Sequence, residues 1–260
     1  LMPLILGTNS IKDTGYDVAN SLRFNQGSDS LSKSISGTNT TKFSVSMWVK
    51  LADDIGDGNV LYSSENNSAD YLFIHHNGNG QLDINMQGTQ NRRITNRVFR
   101  DPSSWYNFLV VFDSTQASAT NRIKLFVNGV QETSFATETN NMSQDSNLSP
   151  LDETLTYAVG TYQGQSTDWT THGYISEFVA VYGTALSTTD VGEFDSDSPT
   201  IWKPKDVSGL TFGTNGFYLD FENSGSLGAD VSGNSNNFTV NNLTSIDQST
   251  DTCTNNFATG

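Results

Sequence analysis

Ser104-Trp105-Tyr106-Asn107-Phe108-Leu109-Val110-Val111-Phe112-Asp113, then Arg122-Ile123-Lys124-Leu125-Phe126-Val127-Asn128-Gly129-Val130-Gln131, is the stretch that decides the fold. Trp105 to Phe112 is apolar almost throughout, as expected of a strand covered on both faces. Arg122 to Val127 alternates, with Ile123, Leu125 and Val127 on one side and Arg122, Lys124 and Phe126 on the other. That is the two-residue period of a half-buried strand. Asn128-Gly129 supplies the two residues that most easily take positive φ, so the chain reverses there in a tight hairpin. The fold class is therefore all-β.

Outward from this centre the same signals recur. Phe43 to Lys50 places Phe43, Val45, Met47 and Val49 on one face and Ser44, Ser46 and Trp48 on the other. Val60–Ser63, Tyr71–His76, Gln81–Met86 and Arg93–Val98 read as four short strands, with Asn77-Gly78-Asn79-Gly80 as a hairpin between the second and third. Thr137 to Asp152 reads as a long polar loop. Thr156–Thr161 and Tyr174–Tyr182 complete the set. Leu186 to Phe194 is the one expected helix, with Ser187 as N-cap and Asp190 three residues on. Trp202-Lys203-Pro204-Lys205 reads as a break, and Gly216–Phe221 as one further strand.

Three motifs in order resemble laminin-G-like domains of the concanavalin-A-like lectin/glucanase superfamily. They are Phe43-Ser44-Val45-Ser46-Met47-Trp48-Val49-Lys50, the Trp105–Asp113 and Lys124–Gly129 pair, and Gly173–Tyr182 followed by Thr184-Ala185-Leu186-Ser187. The resemblance implies a two-sheet antiparallel jelly-roll β-sandwich. The expected organisation is an N-terminal arm over 1–20, the sandwich over 21–197 and a C-terminal β-rich extension over 198–260. Pro3–Phe24, Gly225–Phe238 and Asp251–Phe257 resemble segments that accompany such modules in virion proteins of bacteriophages, marine ones especially. This implies a structural role, as capsid decoration or fibre protein. Both termini would meet other virion proteins, with a homo-oligomer and a cell-surface glycan as further partners. A virion assembled in the host cytoplasm is the implied location; a free, secreted carbohydrate-binding module is the alternative.

Composition narrows the chemistry. With 28 Asp and Glu against 13 Lys and Arg, the formal charge is −15, which opposes binding to nucleic-acid phosphates or to anionic membrane surfaces. The single Cys253 cannot form an internal disulfide, which fits assembly in a bacterial cytoplasm. No segment reads as a transmembrane span, and Leu1–Leu6 is too short and too poorly flanked for a signal peptide.

Catalysis is not expected. Hydrolases of the superfamily carry E-x-D-x-x-E on one strand, and no such run occurs here. Glu193-Phe194-Asp195-Ser196-Asp197 lies in an acidic loop, and Asp220 with Glu222 reads as a solvated face. His75 and His76, adjacent on a strand, face opposite sides. For glycan binding the useful cluster is Tyr162, Asp168, Trp169, Thr170, Thr171 and His172, where an aromatic ring can stack on a pyranose while Asp and His bond its hydroxyls. The competing reading is that Trp169 plugs the core or meets a neighbouring subunit. Calcium is the metal the sequence suits, with Asp53, Asp54 and Asp57 as candidate ligands in an acidic turn, and Asp195 and Asp197 as further hard oxygens.

Overall fold

The computed structural model describes residues 15–25, 27–37, 39–52, 59–67, 70–86, 90–148, 151, 155–162 and 169–254. Two large antiparallel sheets face each other in a sandwich. The strands are β1 (Ser21–Asn25), β2 (Ser30–Ile35), β3 (Lys42–Leu51), β4 (Asn59–Asn67), β5 (Asp70–His76), β6 (Gln81–Met86), β7 (Asn91–Val98), β8 (Tyr106–Asp113) and β9 (Ile123–Val127). They continue with β10 (Val130–Glu132), β11 (Phe135–Asn140), β12 (Leu155–Val159), β13 (His172–Tyr182), β14 (Gly192–Phe194), β15 (Trp202–Pro204), β16 (Phe217–Leu219), β17 (Thr239–Asn241) and β18 (Gln248–Ser249). The first sheet runs β10-β9-β8-β3-β13-β1-β18, with β16 also on β13; the second runs β11-β7-β6-β5-β4-β12-β2-β17. Strands β14 and β15 form a separate ribbon.

Alternation builds the interior. Phe43, Val45, Met47 and Val49 of β3, Phe108, Val110 and Phe112 of β8, and Ile123, Leu125 and Val127 of β9 all enter the core between the sheets. Leu72 and Ile74 of β5, Leu82 and Ile84 of β6, and Tyr157 and Val159 of β12 meet them from the second sheet. Asn128 at φ 48° and Gly129 at φ 76° form the expected reversal between β9 and β10. A side chain at Gly129 would run into the Trp202 ring, so packing as well as backbone conformation requires glycine there.

The first sheet is apolar on its outer face too. Leu109, Val111, Val179 and Val181 pack outward against Leu186, Val191, Val207, Phe212 and Tyr218, which makes a second hydrophobic layer. This explains why Trp105–Phe112 reads as apolar almost throughout. Trp202 closes one end of the layer: its ring meets Phe194 at 4.9 Å, and its Nε1 donates to Asn107 Oδ1 at 3.1 Å. The Asn107 amide in turn donates to Ser46 Oγ and to the Met47 carbonyl.

Glu177 lies on this face at a register shift of β13, with φ 50°. Its carboxylate accepts hydrogen bonds from Tyr218 Oη at 2.7 Å and Tyr16 Oη at 3.0 Å. Burial pushes its pKa up to about 7 in spite of both bonds.

The two ends of the described chain are laced together. Val18 N donates to Thr254 Oγ1, Ser21 Oγ to the Asp251 carbonyl and Asn20 Nδ2 to the Ser249 carbonyl, in line with the antiparallel β1–β18 pairing. Lys50 joins them through an ion pair to Asp251 at 2.7 Å.

Three local expectations are corrected. The helix expected over 186–194 is a single turn, Thr188–Val191, with the Ser187/Asp190 capping box in place. It stops at Gly192, where a Cβ would meet Trp202 and where β14 begins to pair with β15. Thr137–Asp152 is not loop from its start: Phe135–Asn140 is the edge strand β11, paired with β7. It is polar because an edge strand keeps much of its surface in water. Trp202–Pro204 is the buried strand β15 rather than a break. Among the described residues no helix is long and apolar enough to cross a membrane.

Candidate functional site

The outer face of the second sheet carries a cluster of rings and polar groups. Tyr71, Phe73 and His75 alternate along β5 and so share that face. Register brings their neighbours beside them: Glu65 of β4 opposite Tyr71, Asn85 of β6 opposite Phe73, Asp83 opposite His75, and Arg92 of β7 opposite Asn85.

A returning segment lays two more rings on this face. Thr161 and Thr170 form an isolated bridge, Tyr162 N donates to the Trp169 carbonyl at 3.1 Å, and Thr171 Oγ1 donates to the Val60 carbonyl at 2.7 Å. This pins Tyr162 and Trp169 side by side, with ring centroids 6.1 Å apart. Trp169 lies 5.6 Å from His75 and 6.3 Å from Phe73; Tyr162 lies 5.5 Å from Phe73 and 6.3 Å from Tyr71. Tyr71 stacks on Phe73 at 5.5 Å. Tyr71, Tyr162 and Trp169 remain half-buried, whereas Phe73 and His75 beneath them are buried.

Charges on this face are arranged unevenly. Asp83, fully buried, holds the Arg92 guanidinium through both carboxylate oxygens, with Nε at 3.0 and 3.2 Å and a further contact from Nη2. Burial lowers the His75 pKa to about 4, so the ring is neutral at physiological pH. Burial and the neighbouring Glu65 carboxylate push Tyr162 up to about 12, and burial raises Glu65. In this cluster three buried polar atoms have no hydrogen-bond partner among the described residues: Glu65 Oε2, His75 Nδ1 and Asn85 Oδ1. Each such atom costs on the order of 1–3 kcal/mol until something bonds it.

Of the residues expected to bind glycan, the structure brings Tyr162 and Trp169 together. It places Trp169 on the outside of the second sheet, apart from the residues that form the sandwich core. His172 begins β13 in the first sheet, opposite Asn25, with its backbone N–H bonded to Asn59 Oδ1. Asp168 lies outside the described residues, as do Asp53, Asp54 and Asp57. Among the described residues no three His, Cys, Asp or Glu side chains are placed to hold a metal ion. Asp195 instead accepts the backbone N–H groups of Asp197 and Ser198 and lies 3.6 Å from Lys203 Nζ.

Sequence reasoning missed Glu65, Tyr71, Phe73, Asp83, Asn85 and Arg92. A signal was present: Tyr71-x-Phe73-x-His75 puts three rings on the face opposite Leu72 and Ile74, where an ordinary surface strand carries small or charged residues.

Comparison with known proteins follows the fold. The Laminin_G_3 family, described as the Concanavalin A-like lectin/glucanases superfamily, matches residues 25–192. No curated protein sequence matches the chain. Similar solved structures include the heptameric SAP-like pentraxin of Limulus polyphemus, with 12% identity and TM-score 0.49 over 66% of this chain and 80% of that one. The CBM40 domain of Ruminococcus gnavus IT-sialidase, solved with α2,3-sialyllactose, shows 13% identity and TM-score 0.47 over 65% and 93%. Domains LG4-5 of the mouse laminin α1 chain show 13% identity and TM-score 0.43 over 72% and 48%.

Proposed function

From a chain that belongs to the concanavalin A-like lectin/glucanases superfamily, we propose a glycan-binding module without catalysis, displayed on a bacteriophage particle. The observation that carries glycan binding is the ring cluster on the second sheet's outer face. Half-buried Tyr162 and Trp169 offer apolar surface to a pyranose, and unpartnered polar atoms lie beside them. A lectin-like sandwich is compatible with a non-catalytic role.

The particle context rests on the sequence resemblance of residues 3–24, 225–238 and 251–257 to accompanying segments of phage virion proteins. In this reading the protein is a capsid-decoration or fibre component, homo-oligomeric and joined to other virion proteins through its terminal segments. Calcium held by Asp53, Asp54 and Asp57 belongs to the same proposal. A free, secreted lectin is the alternative reading.

A glycan array probed with the full chain, with and without calcium, tests binding. Binding that is lost in Trp169→Ala supports the site, and no binding in either condition removes the lectin reading. Electron microscopy of native phage particles labelled with an antibody to the chain separates particle-bound from free protein. Assay of reducing-sugar release from β-glucans is expected to show none.

A further inference from the structure

The polar groups of the ring cluster also discriminate between classes of sugar. We infer that the cluster selects neutral or N-acetylated saccharides, which bring hydrogen-bond donors, and rejects acidic ones; this rests on the glycan-binding reading above.

Recognition of a sugar carboxylate calls for a cation with free donors, most effectively an arginine fork. The described cluster has one guanidinium, Arg92, and buried Asp83 already pairs its charge through bonds to Nε and Nη2. His75 adds no charge at neutral pH, because burial keeps its imidazole deprotonated. The remaining polar atoms point to the opposite chemistry. Asn85 Oδ1 and Glu65 Oε2 are acceptors only, and His75 Nδ1 accepts or donates according to tautomer. A sugar carboxylate brought among them would meet Glu65 with no uncommitted cation in the described cluster, since Arg92 is paired with Asp83. A hydroxyl or an acetamido N–H gives each acceptor the partner it lacks. The acceptors belong to the same sheet face as Tyr162 and Trp169, so a sugar that stacks on these rings is brought beside them.

The experiment is a glycan array at pH 7.5 with neutral, N-acetylhexosamine, uronate and sialylated ligands, followed by calorimetric titration of the best ligand into wild type, Glu65→Gln and Asp83→Asn. Circular dichroism and thermal melting establish that each variant is folded. Neutral or N-acetylated ligands are expected to bind at least about tenfold more tightly than their acidic counterparts, with little dependence on salt. Glu65→Gln should weaken binding about fivefold. Asp83→Asn, which releases the Arg92 fork, should narrow the preference by improving acidic ligands. Preferential, salt-sensitive binding of uronates or sialosides by the wild type would overturn the class while sparing the glycan-binding reading. Neutral-sugar binding unaffected by Glu65→Gln, with Asp83→Asn leaving the acidic ligands unimproved, would also overturn it. No binding of any saccharide would overturn the reading and this inference together.

Discussion

The two outer faces of the sandwich begin from the same alternation and are completed in opposite ways. On the first sheet, outward Leu109, Val111, Val179 and Val181 are roofed by the chain's own Leu186, Val191, Val207 and Phe212. Its buried polar residue Asn107 bonds Ser46, Met47 and Trp202. On the second sheet, outward Phe73, His75 and Asn85 are buried beside rings that stay half in water, and three polar atoms of this cluster lack partners among the described residues. A face roofed by the chain's own apolar residues stabilises the fold; a face left short of donors is where a ligand gains most.

The two tryptophans should separate these roles most sharply. Trp202→Ala removes a ring packed against Gly129, Gly192 and Phe194, and should cost about 3–5 kcal/mol in urea unfolding. Trp169→Ala, on the half-exposed face, should cost under about 1 kcal/mol in the same measurement. Similar losses for both would erase the distinction.

Next in size is the pH response of the first face. Glu177 has a folded pKa of about 7 against 4.5 for an ordinary glutamate. Its protonated form is the one the fold prefers, so this contribution is complete below about pH 4.5 and is lost as pH rises through 7. The shift corresponds to roughly 3 kcal/mol. Glu177→Gln should therefore melt at a higher temperature than wild type at pH 8, and the difference should shrink as the pH falls to 4.5. A gap that stays constant with pH would show that Glu177 is not the titrating group.

Buried amides give a smaller contrast. Asn107→Ala strands the Trp202 N–H and should cost about 2–3 kcal/mol. Asn85→Ala deletes an oxygen that bonds nothing among the described residues and should cost under about 1 kcal/mol by chemical denaturation. Last, and visible only in binding, Trp169→Ala should weaken a bound glycan about tenfold or more by titration calorimetry, equivalent to about 1.4 kcal/mol.

Much of the sandwich was legible in advance because period-two patterning is local. Phe43–Lys50, Trp105–Phe112 and Ile123–Val127 each declare a strand, the first and last also declare its inward face, and Asn128-Gly129 declares its turn. The short helix was overextended because Leu186 and Val191 do face an apolar layer, and only the Trp202 ring against Gly192 reveals why the helix stops. The same long-range contact hid β15, since a Trp-Lys-Pro-Lys run shows its partner only in three dimensions. The site was legible by half. Tyr162 and Trp169 stood out as aromatics in a polar loop, whereas Glu65, Asp83, Asn85 and Arg92 come from three strands and meet β5 and one another through register.

The lacing of Val18, Asn20 and Ser21 to Thr254, Ser249 and Asp251 also sets how the molecule carries mechanical load. Because β1 and β18 run antiparallel, a tension that pulls residues 15 and 254 apart acts across the ladder and peels its bonds one at a time. The same tension along the strands would load those bonds together and meet far greater resistance. In a force-spectroscopy trace this closure should therefore yield early, at low force, while the interlocked sheets behind it remain intact.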